Sequence, residues 1–301
     1  MNGDGIQDII TGHYWPGDIF IFYGKKDGSF AEMANLKDES GRNLNAGKPW
    51  TDENEPQMES LAAAPFATDF DGDGDYDMLI GNIEGSIVRI ENIGTAKNPK
   101  FSTKREKIKA GGAEIRVGGG DAGPVVADWD GDGVEDLLSG AGDGSVWMYR
   151  NVGSNRAPKY AAGVALISAN KNAYEPIAVG EAPTRPGTRT KVCVTDYNGD
   201  GRADLLVGDY ISVAKPEPKL DAAQIARRDE LRKEMSAIEA EFSKLWDVEE
   251  GEEPSEEQMK AMDALGEKMS KIYTELEPLQ AGQTPHGFVW LYLRKGPSVS
   301  L

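Results

Sequence analysis

The sequence predicts an all-β fold, a β-propeller of four-stranded blades with an antiparallel α-helical hairpin inserted into the fourth. Three observations predict it. An aspartate-rich block occurs four times, short apolar runs flank each copy at matching offsets, and one long segment between two such runs switches to a helical period.

The block reads Asn2-Gly-Asp4-Gly-Ile-Gln-Asp8, then Asp69-Phe-Asp71-Gly-Asp73-Gly-Asp75-Tyr-Asp77, then Asp128-Trp-Asp130-Gly-Asp132-Gly-Val-Glu-Asp136, then Asp196-Tyr-Asn198-Gly-Asp200-Gly-Arg-Ala-Asp204. Its fifth positions, Asp4, Asp73, Asp132 and Asp200, are 69, 59 and 68 residues apart, the size of a blade. Ala64–Thr68, Gly123–Ala127 and Lys191–Thr195 precede three of the copies as inner strands. After each copy come an apolar pair and a glycine (Gly12, Gly81, Gly140, Gly208). A further apolar strand follows, at 18–23, 86–92, 145–151 and 287–293. An outer strand near Phe30, Phe101 and Tyr160 completes each four-stranded blade, and radial repetition of such blades is the propeller architecture. Four repeats are visible, so the ring is either incomplete or closed by another chain or by further sequence.

The fourth copy is interrupted. Its second strand is expected to end near Gly208 and its third to resume at Phe288. This divides the chain into blades at 1–210, a hairpin at 211–285, and a return strand with tail at 286–301. Leu231, Met235, Ile238, Phe242 and Leu245 alternate steps of four and three, as do Met262, Leu265, Met269, Ile272, Leu276 and Leu279, a heptad seam on each of two helices. Between them, Glu249–Pro254 breaks the pattern and Ser255 caps the second helix.

The block suits calcium, a hard cation that takes six to eight oxygens. Side chains at positions 1, 3, 5 and 9 converge, position 7 offers its backbone carbonyl, and the glycine at position 6 permits the turn. The expected ligands are Asp69, Asp71, Asp73, Asp77 and the Asp75 carbonyl; Asp128, Asp130, Asp132, Asp136 and the Val134 carbonyl; and Asp196, Asn198, Asp200, Asp204 and the Arg202 carbonyl. The first copy supplies Asn2, Asp4, Asp8 and the Ile6 carbonyl but lacks its position-1 aspartate, so about three complete sites are expected. The fourth carries one formal charge less and is expected to bind more weakly. An EF-hand needs a glutamate at position 12 and flanking helices, whereas position 12 here is Thr11, Ile80, Ser139 or Val207 and the flanks are strand-like. Acidic turns without metal would leave closely packed carboxylates in mutual repulsion in every copy.

These loops and flanks resemble FG-GAP repeats, also called VCBS-type repeats, as in the integrin α-subunit propeller and many bacterial surface and secreted proteins. The resemblance covers about residues 1–210 and 286–295. It implies a propeller with calcium between the first and second strands of each blade. The hairpin departs from the family pattern, as does the repeat number, since family propellers have about seven blades.

A net charge of −18 and a pI near 4.6 argue against nucleic-acid and anionic-membrane partners. No apolar run is long enough for a membrane span, and no basic-then-apolar leader opens the sequence. Export outside the cytosol, to the periplasm, the cell surface or the medium, is expected instead from calcium supply. Cys193, the single cysteine, reads as a packed strand residue. Two functions stand side by side: a non-catalytic binding or adhesion module for a protein or glycan, and the propeller portion of a secreted polysaccharide-degrading or lipid-degrading enzyme. His13 and His286 are the only histidines, and no HExxH, GxSxG or P-loop pattern accompanies them. The ligand is expected on the face opposite the calcium loops, with Trp15, Trp50 and Tyr210 as aromatic contacts and the hairpin as one wall.

Overall fold

The computed structural model describes residues 1–47, 58–246 and 255–295. Trp50, the Lys48–Gln57 link around it, the acidic stretch Glu249–Pro254 and the end of the C-terminal tail lie outside the described residues. The chain forms two compact units, one of Met1–Glu175, Pro183–Ile211 and His286–Leu301, the other of Pro176–Ala182 and Ser212–Pro285.

The chain is mostly β, with several antiparallel sheets and two helices. In the first unit β1 (Ile9–Gly12), β2 (Ile19–Phe22) and β3 (Ala34–Asn35) make one sheet. The strands β4 (Ala64–Thr68), β5 (Asp77–Gly81), β6 (Ile87–Ile90) and β7 (Glu106–Lys107) make a second, followed by a small hairpin of β8 (Lys109–Ala110) and β9 (Ala113–Glu114). A third consists of β10 (Gly123–Ala127), β11 (Asp136–Gly140), β12 (Val146–Tyr149) and β13 (Val164–Ile167). The fourth contains β14 (Thr188–Thr195), β15 (Asp204–Ala214), β16 (Gln283–His286) and β17 (Val289–Tyr292), with β16 and β17 both paired to β15. The second strands β5 and β11 are buried on both faces, which is why Met78-Leu79-Ile80 and Leu137-Leu138 read as continuous apolar runs without alternation.

Consecutive sheets of this unit share a core. Ile19 and Ile21 of the first sheet pack with Met78, Ile80, Val88 and Ile90 of the second. Leu79 and Ile87 of the second pack with Leu137 and Tyr149 of the third, and Leu138 and Val146 of the third with Val192, Leu205 and Val207 of the fourth. Each such side chain contributes about 1.5–3 kcal/mol when fully removed from water. The leading strands β4, β10 and β14 come together around a cavity of about 340 Å³ lined by Ala64–Phe66, Gly123–Val126 and Lys191–Val194.

Several expectations need correction. The outer strands begin beyond Phe30, Phe101 and Tyr160, which make isolated bridges back to Gly24, Asn92 and Asn151, Phe101 and Tyr160 also bridging Asp38 and Ala110. The cause is a side-chain clamp: Asn92 Oδ1 accepts from the N–H groups of Gly94 (3.0 Å) and Lys100 (2.8 Å), and Asn151 Oδ1 from those of Gly153 and Lys159 (3.0 Å each). Each clamp imposes a tight turn before the outer strand can form. The first sheet has three strands rather than four, with β1 equivalent to β5. Strand β15 does not stop at Gly208 but runs to Ala214, where the Ala214 N–H donates to the Ile177 carbonyl. Cys193 is exposed rather than packed, because among the described residues no further sheet covers its side of β14.

In the second unit α1 (Ala222–Trp246) and α2 (Glu256–Leu276) pack along the predicted seam, with Leu231, Ile272 and Leu276 buried among Met235, Ile238 and Leu279. They are antiparallel, since Arg227 near the start of α1 pairs with Glu275 near the end of α2 at 2.7 Å. Ser255 and Gln258 form the capping box that starts α2. No helix among the described residues is long and apolar enough to cross a membrane.

Candidate metal centres

The second, third and fourth aspartate-rich blocks close the turn between the first and second strands of their sheets, the first block leads into β1, and the loop backbone is organised by its own side chains. Position 1 accepts the N–H of the position-6 glycine: Gly74 to Asp69 at 3.1 Å, Gly133 to Asp128 at 2.9 Å, Gly201 to Asp196 at 2.8 Å. Position 5 accepts the N–H of position 7: Ile6 to Asp4 (2.8 Å), Asp75 to Asp73 (3.0 Å), Val134 to Asp132 (2.9 Å), Arg202 to Asp200 (3.0 Å). The glycines at positions 4 and 6 both take positive φ, as at Gly131 (80°) and Gly133 (86°), a region that other residues enter only under strain.

Position 9 does two jobs. One carboxylate oxygen of Asp8, Asp77, Asp136 and Asp204 accepts the N–H just past the third strand, from Gly24 (2.9 Å), Asn92 (2.7 Å), Asn151 (2.8 Å) and Arg294 (2.8 Å) respectively. This ties the loop to its sheet. The other oxygen meets the Met1 ammonium in Asp8, the Arg89 guanidinium in Asp77 and the Tyr197 N–H in Asp204, and has no donor in Asp136.

The structure brings one oxygen each of Asp69, Asp71 and Asp73 within 4.8 Å of one another, and likewise of Asp128, Asp130 and Asp132. A cation binding oxygens at about 2.4 Å can be shared by oxygens up to about 4.8 Å apart. Asp69 Oδ1, Asp75 Oδ1 and Asp136 Oδ2 are buried with no hydrogen-bond partner. Such orphaned acceptors are costly unless something positive meets them. In the fourth loop, Asn198 donates to Asp200 (3.0 Å) and Asp204 Oδ2 accepts from the Tyr197 N–H (3.1 Å). In the first, Asn2 donates to Asp4 (3.0 Å), and Asp8 pairs with the Met1 ammonium (2.7 Å).

Burial pushes the Asp77 carboxyl up to about 6, against opposing hydrogen bonds from the Asn92 backbone and Arg89. Burial also raises Asp136 and Asp75, the latter with help from Asp73, Asp71 and Asp69. The Val134 N–H and then Arg150 hold Asp132 below the usual carboxylate range. Sequence reasoning missed these arginines. Arg89 reaches Asp71 (2.5 Å) and Asp77 (2.7 Å) while lying over the Phe70 ring, and Arg150 reaches Asp130 (2.7 Å) and Asp132 (2.8 Å). Arg89 lies within β6 and Arg150 just past the end of β12, at different positions of the repeat, so no repeat signal announces them. The Asp75 side chain was also missed, having been assigned only a carbonyl.

No curated protein matches the chain. A family model described as FG-GAP-like repeat matches residues 69–139 and again 128–207. Each match starts on the first aspartate of a loop, Asp69 or Asp128, and ends in the second strand of the next sheet. Residues 69–207 of this chain are FG-GAP-like repeats.

Proposed function

We propose that the chain is a calcium-binding β-propeller, or an arc of one, that works outside the cytosol as a non-catalytic binding or adhesion module for a protein or glycan. The observation that carries this reading is the trio of buried carboxylate oxygens without a donor, set in the aspartate-rich loops. The residues fit calcium. Asp69, Asp71, Asp73 and Asp77 would hold it in the second loop, Asp128, Asp130, Asp132 and Asp136 in the third, and Asp196, Asn198, Asp200 and Asp204 in the fourth, with the carbonyls of Asp75, Val134 and Arg202. When bound, calcium supplies the positive charge that lets these carboxylates stay ionised side by side.

The chain's histidines support the non-catalytic reading. His13 lies edge-on to Phe20 at 5.8 Å and His286 packs on Phe288 at 6.2 Å, contacts of the packing kind. Antiparallel pairing sets the metal loops at one end of the strands and the turns between second and third strands at the other. Trp15 (51% exposed) lies in a turn of that second kind, and Tyr210 (46% exposed) lies on β15 beyond Gly208, toward the same strand end. They are the aromatic contacts for a ligand on the metal-free end.

Calcium is expected to raise the melting temperature, and coincident curves in calcium and after metal removal would contradict the metal reading. The gap should widen with pH. A carboxyl whose folded pKa is raised favours the fold below its unfolded value and loses that contribution as pH rises through the folded value, here about 6 for Asp77. Calcium cancels the loss by holding the ionised form, so melting at pH 5 should show a smaller calcium effect than at pH 7.5; a pH-independent gap would count against the ligand assignment. Within the loops, Asp71→Ala and Asp130→Ala should weaken calcium binding more than Asn198→Ala, because a charged ligand is lost. Titration calorimetry giving the reverse order would overturn that ranking.

A further inference from the structure

Charge is unevenly spread along the chain. The whole carries a net −18, yet residues 97–116 hold seven lysines and arginines against two glutamates. The fold does not require them. Strand register sets Glu106 and Lys107 of β7 level with Val164 and Ala165 of β13, and residues 161–167, leading into and through β13, carry no charge.

The basic stretch lines a cleft of about 890 Å³ between the outer edge of the second sheet and the 152–161 link of the third. Its cations fall into two groups. Arg105 is held by Asp38 (3.3 Å) and by the carbonyls of Asn45 (3.1 Å) and Ser102 (3.0 Å), and Lys107 by Glu59 and Glu114, so both serve the fold. Lys109 and Lys159 are exposed, and their ammonium groups meet no acidic partner among the described residues. Lys104 meets only Glu106 at 3.9 Å, an exposed pair of the kind that contributes little. Three ammonium groups of the cleft are thus uncommitted.

The surface between them is apolar. Ile108 and Tyr160 are buried beneath the cleft, the Phe70 ring packs on Tyr160 at 6.4 Å, and Val152 (56% exposed) and Pro158 offer aliphatic surface. Cations set around aliphatic surface suit a ligand that carries carboxylates on rings with C–H faces.

We propose that this cleft binds an acidic polysaccharide, its carboxylates paired with Lys104, Lys109 and Lys159 and a sugar ring laid on Val152 and Pro158. Single-stranded nucleic acid needs exposed rings on which its bases stack, whereas Tyr160 is buried and the Phe70 ring already carries the Arg89 guanidinium at 4.9 Å. A duplex would meet the repulsion of the whole chain. An acidic peptide would add as a strand, but β7, the edge of its sheet, is two residues long. The cleft lies at the outer edge of two sheets, away from the aromatic contacts proposed for the metal-free end, and it depends on no metal.

The test is titration calorimetry of the full chain with a galacturonate hexamer. The protein is loaded with calcium and then freed of excess, so that no ion bridges protein and sugar. Saturable binding is expected at about 50 mM salt, several-fold weaker at about 200 mM. The fully methyl-esterified hexamer, the same sugar without its charges, should not bind. Lys109→Ala and Lys159→Ala should each weaken binding about threefold, the size of one exposed ion pair. Combined with Lys104→Ala they should weaken it about thirtyfold, with the melting temperature unchanged. Lys26→Ala, at an exposed position outside the cleft, should bind as the wild type does. No binding of the hexamer, or binding that the triple variant keeps, would overturn the proposal. So would a heptathymidylate or a hexaglutamate binding as tightly as the hexamer, which marks a site for nucleic acid or acidic peptide.

Discussion

Asp136→Asn is expected to raise the melting temperature of the metal-free protein and to lower that of the calcium-loaded protein. Asp136 is 1% exposed. Its Oδ1 accepts the Asn151 N–H at 2.8 Å, an acceptor that asparagine retains. Its Oδ2 has no donor, and Asp130 and Asp132 stand close enough to raise its pKa. Without metal, replacing that oxygen by an NH₂ group removes a buried charge and gives the neighbouring carboxylates a donor, a gain of about 1–3 kcal/mol. With calcium present the same change removes a charged ligand and turns a donor toward the cation, with a loss of similar or greater size. In a chain of this length 1 kcal/mol corresponds to roughly 2–4 °C, so both shifts are readable by calorimetry. Shifts of the same sign in the two states would contradict the assignment of Asp136 as a ligand.

Gly81→Ala is expected to destabilise the fold by about 3 kcal/mol or more, with or without calcium. The added Cβ would lie 2.2 Å from the Ala122 carbonyl oxygen and 2.8 Å from Pro124 Cδ, and backbone cannot rotate out of the way as a side chain can. Gly208→Ala is the internal control. Its φ is not in the left-handed region and nothing lies nearer than 3.9 Å, so in dilute protein it should be neutral, or stabilising by a few tenths of a kcal/mol through the unfolded chain. Chemical denaturation of the two variants distinguishes sheet-to-sheet backbone packing from a generic glycine effect. Equal costs would count against the packing account.

The strands were legible because their apolar runs sit at fixed offsets from an unmistakable loop. The second strands Met78–Ile80 and Leu137–Leu138 announce burial on both faces by failing to alternate. The helices were legible because the Leu231 and Ile272 series repeat every three to four residues, and the Ser255 cap follows from its own side chain. The outer strands were misplaced because a single residue, Asn92 or Asn151, folds the chain back before Phe101 or Tyr160 can extend a strand. No periodic pattern carries that information. Exposure of Cys193 depends on which sheet lies beside β14, a tertiary fact to which the alternation of β14 is blind. The loop carboxylates were identified by spacing, but the tie of Asp77 and Asp136 to their sheets through one oxygen emerges only when Asn92 and Asn151 arrive just past the third strand. Arg89 reaches its partners across twelve and eighteen residues, and no local pattern links them.

The central claim, that the second, third and fourth loops each hold calcium, is tested most directly by calorimetric titration of metal-free protein with calcium, beside the Asp130→Ala variant. The account predicts saturable binding to these loops, with one ion fewer bound by the variant and the remaining sites unchanged. Absence of saturable binding, or a variant that binds as many ions as the wild type with the same affinities, would contradict it.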